Sequence, residues 1–294
     1  MTKSTILDTL EKLSIVDSKN LIELANKTRD RDGISVYQCK KSSVIFLDSC
    51  SHVCNDYYEN KQGASYFNSQ DRREAIQKSF EDDERRARQI IPIVAGKSWV
   101  DIGTGAGGIL DRVSPFASRC EAVEPQNDIR ESLIELGYQV RRSTSELPDA
   151  TFDLATLFHV FEHLTDPIAE LKLIATKVKK NGRIIIEVPH AKDILLQHFN
   201  LQSFKDFTFW SEHLILHTRQ SLQKFIEAAG LTVIAIEGYQ RYPLSNHLMW
   251  LSKGIPGGHY EWSILREKEL DFQYGNMLSK IDQTDTLIAH CVLK

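Results

Sequence analysis

The residues with the plainest chemical meaning are Asp101-Ile102-Gly103-Thr104-Gly105-Ala106-Gly107-Gly108, a carboxylate followed by a glycine-rich bend. Glycine is needed where the backbone takes positive φ and where a ligand approaches with no Cβ in the way. The run parses in two ways. Gly103, Gly105 and Gly108 satisfy G-x-G-x-x-G, the dinucleotide fingerprint, and Glu124, about twenty residues onward, is placed to take ribose hydroxyls. Read as D-x-G-x-G-x-G, with Asp101, Gly103, Gly105 and Gly107, the run instead puts an acid inside the ligand-facing end of a strand. A pyrophosphate is repelled there, whereas a cofactor bearing an ammonium or sulfonium group is not. A tight turn without a ligand is the alternative reading of the glycines, and the constellation around them disfavours it.

Proton chemistry has ready candidates. Nine of the ten histidines lie in the second half of the chain, among them His159, His163, His190, His198, His213, His217, His247 and His259. Histidine is the side chain whose ordinary pKa lies closest to neutrality. Metal chemistry has a poorer case. Cys50-Ser51-His52-Val53-Cys54, with Cys39 upstream, lacks the second cysteine pair that a zinc site wants, and Ser42 stands where a C-x-x-C partner of Cys39 would. No bound metal is expected.

The elements that must position these groups follow from periodicity. From about Ser98, short apolar runs alternate with helical spacing, the signature of βαβ units and a parallel sheet. Strands are expected at 98–102, 120–124, 138–142, 152–158, 183–188, 231–237 and 286–293. The helix after the glycine bend presents Ile109, Leu110 and Val113 on one face, and the next presents Ile129, Leu133 and Leu136 before Gly137. Asp166-Pro167 starts a helix as N-cap and N1, which Asn181-Gly182 ends after Lys177, Lys179 and Lys180. Thr218 caps another, with Leu222, Phe225, Ile226 and Ala229 inward and Gly230 as its stop. Arg183-Ile184-Ile185-Ile186-Glu187-Val188 is apolar enough to lie centrally in the sheet.

Two irregular insertions, about 190–217 and 239–284, interrupt this pattern, and segments of this kind commonly carry substrate contacts. In the second, Tyr239, Arg241, Tyr242, Asn246 and His247 mix stackable rings with amide and guanidinium donors, a set suited to a polar ring-shaped acceptor. Gly254-Ile255-Pro256-Gly257-Gly258-His259 reads as a turn or a lid. Before Ser98, residues up to about Thr28 read as helical, 34–48 as two short strands, and 71–91 as a charged helix. In that helix Glu81/Arg85, Asp82/Arg86 and Glu84/Arg88 pair at i,i+4, the mark of a solvated face.

In order and spacing these pieces resemble a class I S-adenosylmethionine-dependent methyltransferase, from about Lys97 to Lys294. The resemblance rests on Asp101 to Gly107, on Glu124 in Val123-Glu124-Pro125, and on Phe152 to Leu164. Asn181-Gly182-Arg183 and Phe225 to Leu231 add to it. It implies a Rossmann-like α/β fold with a seven-stranded, mostly parallel sheet, an antiparallel last strand and helices on both faces. A small N-terminal α+β region, 1–95, would cover the cofactor, and 96–294 would form the methyltransferase domain. Asp101, Gly103, Thr104, Gly105, Gly107, Glu124, Pro125, Thr144, Phe158 and His159 would contact S-adenosylmethionine, with Glu124 on the ribose and 143–147 on the adenine side. His213, in Phe209-Trp210-Ser211-Glu212-His213-Leu214, resembles the Glu-His stretch of methyltransferases that act on sugars and related hydroxylated metabolites, with Glu212 orienting the imidazole. His163, in His159-x-x-Glu162-His163, is the second base, in a segment resembling the Glu-x-x-Glu-His pattern of metal-using quinone-type O-methyltransferases with its first Glu replaced. Val36 to Asp48 and Asp56-Tyr57-Tyr58 resemble a zinc-ribbon entry without its cysteine pairs, with Tyr57 or Tyr58 closing the pocket.

Composition narrows the partners. Hydrophobic residues at 41% and charged residues at 26% fit a folded globular chain, and no apolar run is long enough to span a bilayer. A net charge of −4 disfavours nucleic acid. Five scattered cysteines and a polar start, Met1-Thr2-Lys3-Ser4, suit a reducing cytoplasmic setting. The expectation is O-methylation of a small or glycosylated hydroxylated acceptor by a monomer or homodimer, without membrane or nucleic-acid partners. A nicotinamide-dependent oxidoreductase and a non-catalytic S-adenosylmethionine-binding protein are the competing readings.

Overall fold

The computed structural model describes residues 6–53, 57–59 and 71–294. The N-terminal residues start with helix α1 (Ile6–Lys12), which buries Ile6 and Leu10. The helical expectation up to Thr28 fails beyond this point. Ser14 takes a positive φ of 53°, and Leu21–Lys27 is strand β1, paired antiparallel to β2 (Asp32–Cys39). The apolar side chains Leu21 and Leu24 pack on the core from an extended chain, so tertiary pairing overrides the local helical pattern. Strand β3 (Ile45–Leu47) follows, giving the two strands expected within 34–48.

Helix α2 (Arg72–Val94) is capped by Asp71, whose carboxylate accepts from the Arg73 amide. Its Ala87, Ile90 and Val94 pack with Trp99, Ile109, Leu110 and Val113, each fully buried large side chain stabilising by roughly 1.5–3 kcal/mol. The rest of its face is not a solvated stripe. Arg85 and Arg86 both reach Glu187, Glu84 pairs with Arg112, and Glu81 pairs with Arg266. Within the helix, Asp82 and Asp83 meet Arg85 and Arg86 at i,i+3. Two of the charges that sequence spacing pairs along the helix, Arg85 and Arg86, serve instead to neutralise a carboxylate buried in the sheet.

Strand β4 (Ser98–Ile102) leads to α3 (Gly108–Val113), β5 (Arg119–Val123) to α4 (Asn127–Glu135), then β6 (Val140–Arg141) and β7 (Phe152–Phe158). Strands and α-helices alternate here, except between β6 and β7. Helix α5 (Pro167–Lys177) starts at Asp166, whose side chain accepts from the Ala169 amide. It stops at Lys177, and β8 (Val178–Pro189) takes in Lys179, Lys180 and Asn181-Gly182 as an irregularity opposite 152–154. The break read at Asn181-Gly182 is therefore a bulge inside the strand rather than the end of the helix. The first insertion contains α6 (Ile194–Gln197), α7 (Gln202–Thr208) and β9 (Ile215–Leu216), which adds to β3. Helix α8 (Arg219–Ala228) has a full capping box between Thr218 and Ser221 and leads to β10 (Leu231–Tyr239).

The second insertion is more regular than its sequence suggests. It folds as α9 (Leu244–Lys253), α10 (Gly258–Glu261) and α11 (Lys268–Lys280), the last capped by Glu267. Strand β11 (Thr286–Leu293) closes the chain. The main sheet has seven strands in the order β10-β11-β8-β7-β4-β5-β6, parallel except for β11, with β8 central as expected. The order reverses beside β4, so the crevice beyond the carboxyl ends of β4, β5 and β7 is where such a sheet takes ligands. A smaller four-stranded sheet, β1-β2-β3-β9, joins the N-terminal residues to the first insertion. Cys39, Cys50, Cys120 and Cys291 are free thiols, and Cys54 lies outside the described residues. Among the described residues, no helix is long and apolar enough to cross a membrane.

Glu187 is completely buried and its carboxyl is held well below the usual range, because Arg86 and Arg85 outweigh the burial that pushes it up. Arg85→Ala should cost about 3–5 kcal/mol in urea unfolding, since it leaves that carboxylate short of a partner. The wild-type pairing contributes fully above the carboxyl's unfolded value of about 4.3 and is lost as pH falls below it. A cost under about 1 kcal/mol would mean that the network does not hold α2 in place.

Candidate active site

Strand β4 delivers Asp101 and Ile102 to the bend, where Gly103, Gly105 and Gly107 take φ of 71°, 54° and 74°. The amides of Gly103 and Thr104 donate to the Val123 carbonyl at 2.7 and 3.1 Å, tying the bend to the end of β5. A Cβ on Gly103 would lie 2.5 Å from Val160 Cγ2, whereas Gly105 faces open space. One glycine is therefore required for contact between two loops, and the next leaves a hollow. Glu124, directly after β5, borders the same turn. Its Oε2 accepts from the Gly105 amide and its Oε1 from the Gln126 amide, both at 2.8 Å. Burial pushes its carboxyl up to about 7 despite those amides. Asp101 is also buried, accepts from the Thr156 hydroxyl at 2.6 Å, and is pushed up to about 6 by burial, with Thr156 and Thr104 opposing.

Two buried acids on either side of a bare glycine backbone fit a ligand with a cationic end and a diol. The acids supply acceptors for hydroxyl and ammonium donors, and the absent Cβ atoms leave room. Of the remaining cofactor expectations, Pro125 turns its carbonyl to Arg130, and Thr144 is buried with its hydroxyl donating to Glu170. Phe158 lies under the Arg86 guanidinium, 4.8 Å from its ring centroid. His159 adopts a φ of 55°, uncommon for a residue with a side chain, and its ring is enclosed by Glu162, Glu187 and Arg241.

The loop after β7 meets the first insertion at a second cluster. Glu162 is fully buried, and its Oε1 lies 3.1 Å from His159 Nδ1 and 3.8 Å from His163 Nε2. Burial pushes Glu162 up, but hydrogen bonding to His159 and the neighbouring imidazoles bring it down to about 2, so it is ionised at neutral pH. His163 Nδ1 faces Tyr58 Oη at 3.3 Å and Glu212 Oε2 at 3.9 Å. Tyr57 donates to Glu212 Oε1 at 2.9 Å. The His213 ring packs edge-on against His163 and Trp210, and neither of its nitrogens has a hydrogen-bond partner among the described residues. Burial depresses its pKa to about 3. The expected bases His213, His163 and Glu212 are thus brought together. Glu162, His163 and His213 each offer a ligand atom within 4.8 Å of the others, so a divalent cation could be held here.

The second insertion meets this site through Arg241, which donates to both oxygens of Asp82 and to His159 Nε2. Tyr239 lies under Arg85, and Tyr242 is partly exposed with its amide on Asp285. Asn246 and His247 are buried inside the insertion, accepting from the Gly257 amide and meeting Tyr274 and Gln240 respectively. Sequence reasoning passed over Trp210 and the Arg85–Glu187 pair as site residues, and it reached Tyr58 and Glu162 only through resemblance to known motifs. The signal for the Arg85–Glu187 pair was an acid, Glu187, inside an otherwise apolar strand, which demands a buried cation from elsewhere.

Gly103→Ala tests the loop contact, because it adds positive-φ strain and a clash with Val160. It should lower stability by about 1–3 kcal/mol in thermal or urea unfolding, and a neutral result would show that the two loops are not packed in this way.

Known proteins agree with this geometry. A family model described as a methyltransferase domain matches residues 69–236, more than half of the chain. The ubiquinone biosynthesis O-methyltransferase of Aeromonas salmonicida is 29% identical over 166 residues, covering 51% of this chain and 69% of its own. The protein of the same name from Stutzerimonas stutzeri is 27% identical over 177 residues, covering 52% and 72%. A solved S-adenosylmethionine-dependent methyltransferase from Archaeoglobus fulgidus superposes with a TM-score of 0.52 at 20% identity, covering 78% of this chain and 96% of that one, a likeness of fold. With its sheet order, its acid-flanked glycine bend and this family match, the chain belongs to the class I S-adenosylmethionine-dependent methyltransferases, and S-adenosylmethionine is its cofactor.

Proposed function

We propose that the chain methylates a hydroxyl of a small acceptor held between the glycine bend and the histidine cluster. The observation that carries this reading is the placement of His213 and His163 beside the ionised Glu162, with both His213 ring nitrogens lacking a hydrogen-bond partner among the described residues. S-adenosylmethionine supplies an electrophilic methyl group, which passes to the acceptor oxygen as its bond to sulfur breaks, leaving S-adenosylhomocysteine. The chain's own residues do the rest. Glu124 accepts from the ribose hydroxyls, Asp101 faces the cationic methionine end, and Gly103, Thr104, Gly105 and Gly107 line the approach. Pro125, Thr144, Phe158 and His159 complete that wall.

His213, whose basicity burial and the neighbouring His163 depress and Glu162 partly restores, takes the acceptor's proton. His163, between Glu162 and Glu212, is the second base and keeps the cluster's polar atoms in register. The described residues of the N-terminal region 1–95 cover the cofactor, and Tyr239, Arg241 and Tyr242, with Asn246 and His247 behind them, shape the acceptor side. A sugar-like hydroxylated ring suits the mixture of guanidinium, imidazole and phenol groups. A hydroxylated aromatic ring is the second reading, favoured by the names of the two relatives and by the Trp210 and Tyr58 rings beside His163. The free thiols of the described cysteines support a cytoplasmic setting, and a small molecule is the expected partner of a monomer or homodimer.

Glu124→Ala and Asp101→Ala should each weaken S-adenosylhomocysteine binding by about 1–3 kcal/mol in calorimetry, the loss of a buried hydrogen bond to a charged group. Wild-type affinity should fall as pH drops below about 7, where Glu124 takes up a proton and stops accepting from both hydroxyls. Glu124→Gln should flatten that dependence, and a pH-independent affinity in the wild type would refute the assignment. Turnover is to be followed as S-adenosylhomocysteine release with nucleotide sugars and with hydroxylated quinols. His213→Ala should slow it about 10²- to 10⁴-fold while leaving cofactor affinity intact, and near-normal turnover would remove His213 as the base.

A further inference from the structure

We infer that Glu59 and Arg142 form a latch that closes the cofactor cleft and, through the two tyrosines before Glu59, completes the acceptor site at the same time. The inference rests on the reading of the cleft given under Proposed function. Residues 57–59 run between the two halves of the site. At one end, Tyr57 donates to Glu212 at 2.9 Å and Tyr58 Oη lies 3.3 Å from His163 Nδ1. At the other, Glu59 Oε1 accepts from Arg142 Nε at 2.8 Å and Nη2 at 2.5 Å, and the Glu59 carbonyl accepts from the Asn127 amide at 3.4 Å.

The two anchor points of Glu59 bracket the nucleoside side of the pocket. Asn127 begins α4, three residues after Glu124, and Arg142 follows β6 at the loop 143–147. A nucleoside whose ribose rests on Glu124 lies beneath this crossing, so it cannot leave without parting Glu59 from Arg142 or passing under them. The pair suits repeated opening. Arg142 is 53% exposed and Glu59 20%, so the attraction is screened and modest, unlike the sealed Arg85–Glu187 pair. Tyr57 and Tyr58 precede Glu59 directly, so lifting the strap also withdraws the phenols from Glu212 and His163. Cofactor must enter before the base cluster is complete, which makes binding ordered, with the acceptor second.

The test follows dissociation of S-adenosylhomocysteine by stopped flow, together with hydrogen exchange of the backbone amides. Arg142→Ala and Glu59→Gln should each quicken dissociation about three- to tenfold, and the swap Glu59→Arg with Arg142→Glu should return it to within about twofold of wild type. Added salt should quicken release from the wild type and leave Arg142→Ala unmoved. Hydrogen exchange should show S-adenosylhomocysteine protecting both 57–59 and 210–214 in the wild type. In Arg142→Ala both should lose protection while 103–107 keeps it. Unchanged dissociation in both single variants, or failure of the swap to restore it, overturns the latch. Loss of protection at 57–59 alone overturns the coupling to the acceptor site. If Glu124→Ala weakens binding and Arg142→Ala does not alter release, the latch fails and the cleft stands. Unimpaired binding by Glu124→Ala refutes the cleft, and the latch with it.

Discussion

The part-buried hydrogen bond from the Gly105 amide to Glu124, 2.8 Å long, is the constraint on which the site depends. It fixes the residue that follows β5 against the bend that follows β4, so the acid and the bare backbone cannot drift apart. The bend can accept this arrangement because its glycines take positive φ. The cost is a carboxylate sealed from water, whose pKa burial pushes up despite the two amides. Hydroxyl donors from a diol would relieve that cost, which is why a ribose is a natural occupant.

The rest of the architecture closes the space around this hollow. Helix α2 is drawn over the sheet by a buried carboxylate on β8, and Asp82 of the same helix takes Arg241 from the second insertion. The small sheet is completed by β9, whose flanking residues carry Glu212 and His213. Segments distant in sequence are thereby joined at one end of the main sheet, by charge in one case and by strand addition in the other. His159 lies where these systems meet, in a backbone conformation that costs about 1–3 kcal/mol and that its contacts to Glu162, Glu187 and Arg241 hold in place.

Much of this was legible in the sequence where one residue type admits one physical use. Each strand of the main sheet lies where an apolar run predicts it, and Asp166-Pro167 and Thr218 start their helices because caps act locally. The illegible parts depend on distant partners. Leu21–Lys27 is extended because β2 pairs with it, and nothing within the segment announces that. Arg85 and Arg86 look like members of a solvated salt-bridge ladder until the β8 carboxylate is set beneath them. At the site, Asp101, Glu124 and the glycines could be picked out by spacing. His163, His213 and Glu212 are each legible in their own motifs, but their meeting around Glu162 is not, because they come from the β7 loop and the first insertion. Asn246 and His247 show the opposite failure, polar residues in an insertion that support its own helices.

The most direct measurement is a crystal structure of the chain with S-adenosylhomocysteine. The account predicts both ribose hydroxyls within hydrogen-bonding distance of the Glu124 carboxylate, the methionine end beside Asp101, and the sulfur facing the His163–His213 cluster across the cleft. A ligand whose ribose contacts another acid, or whose sulfur faces away from those histidines, would contradict it.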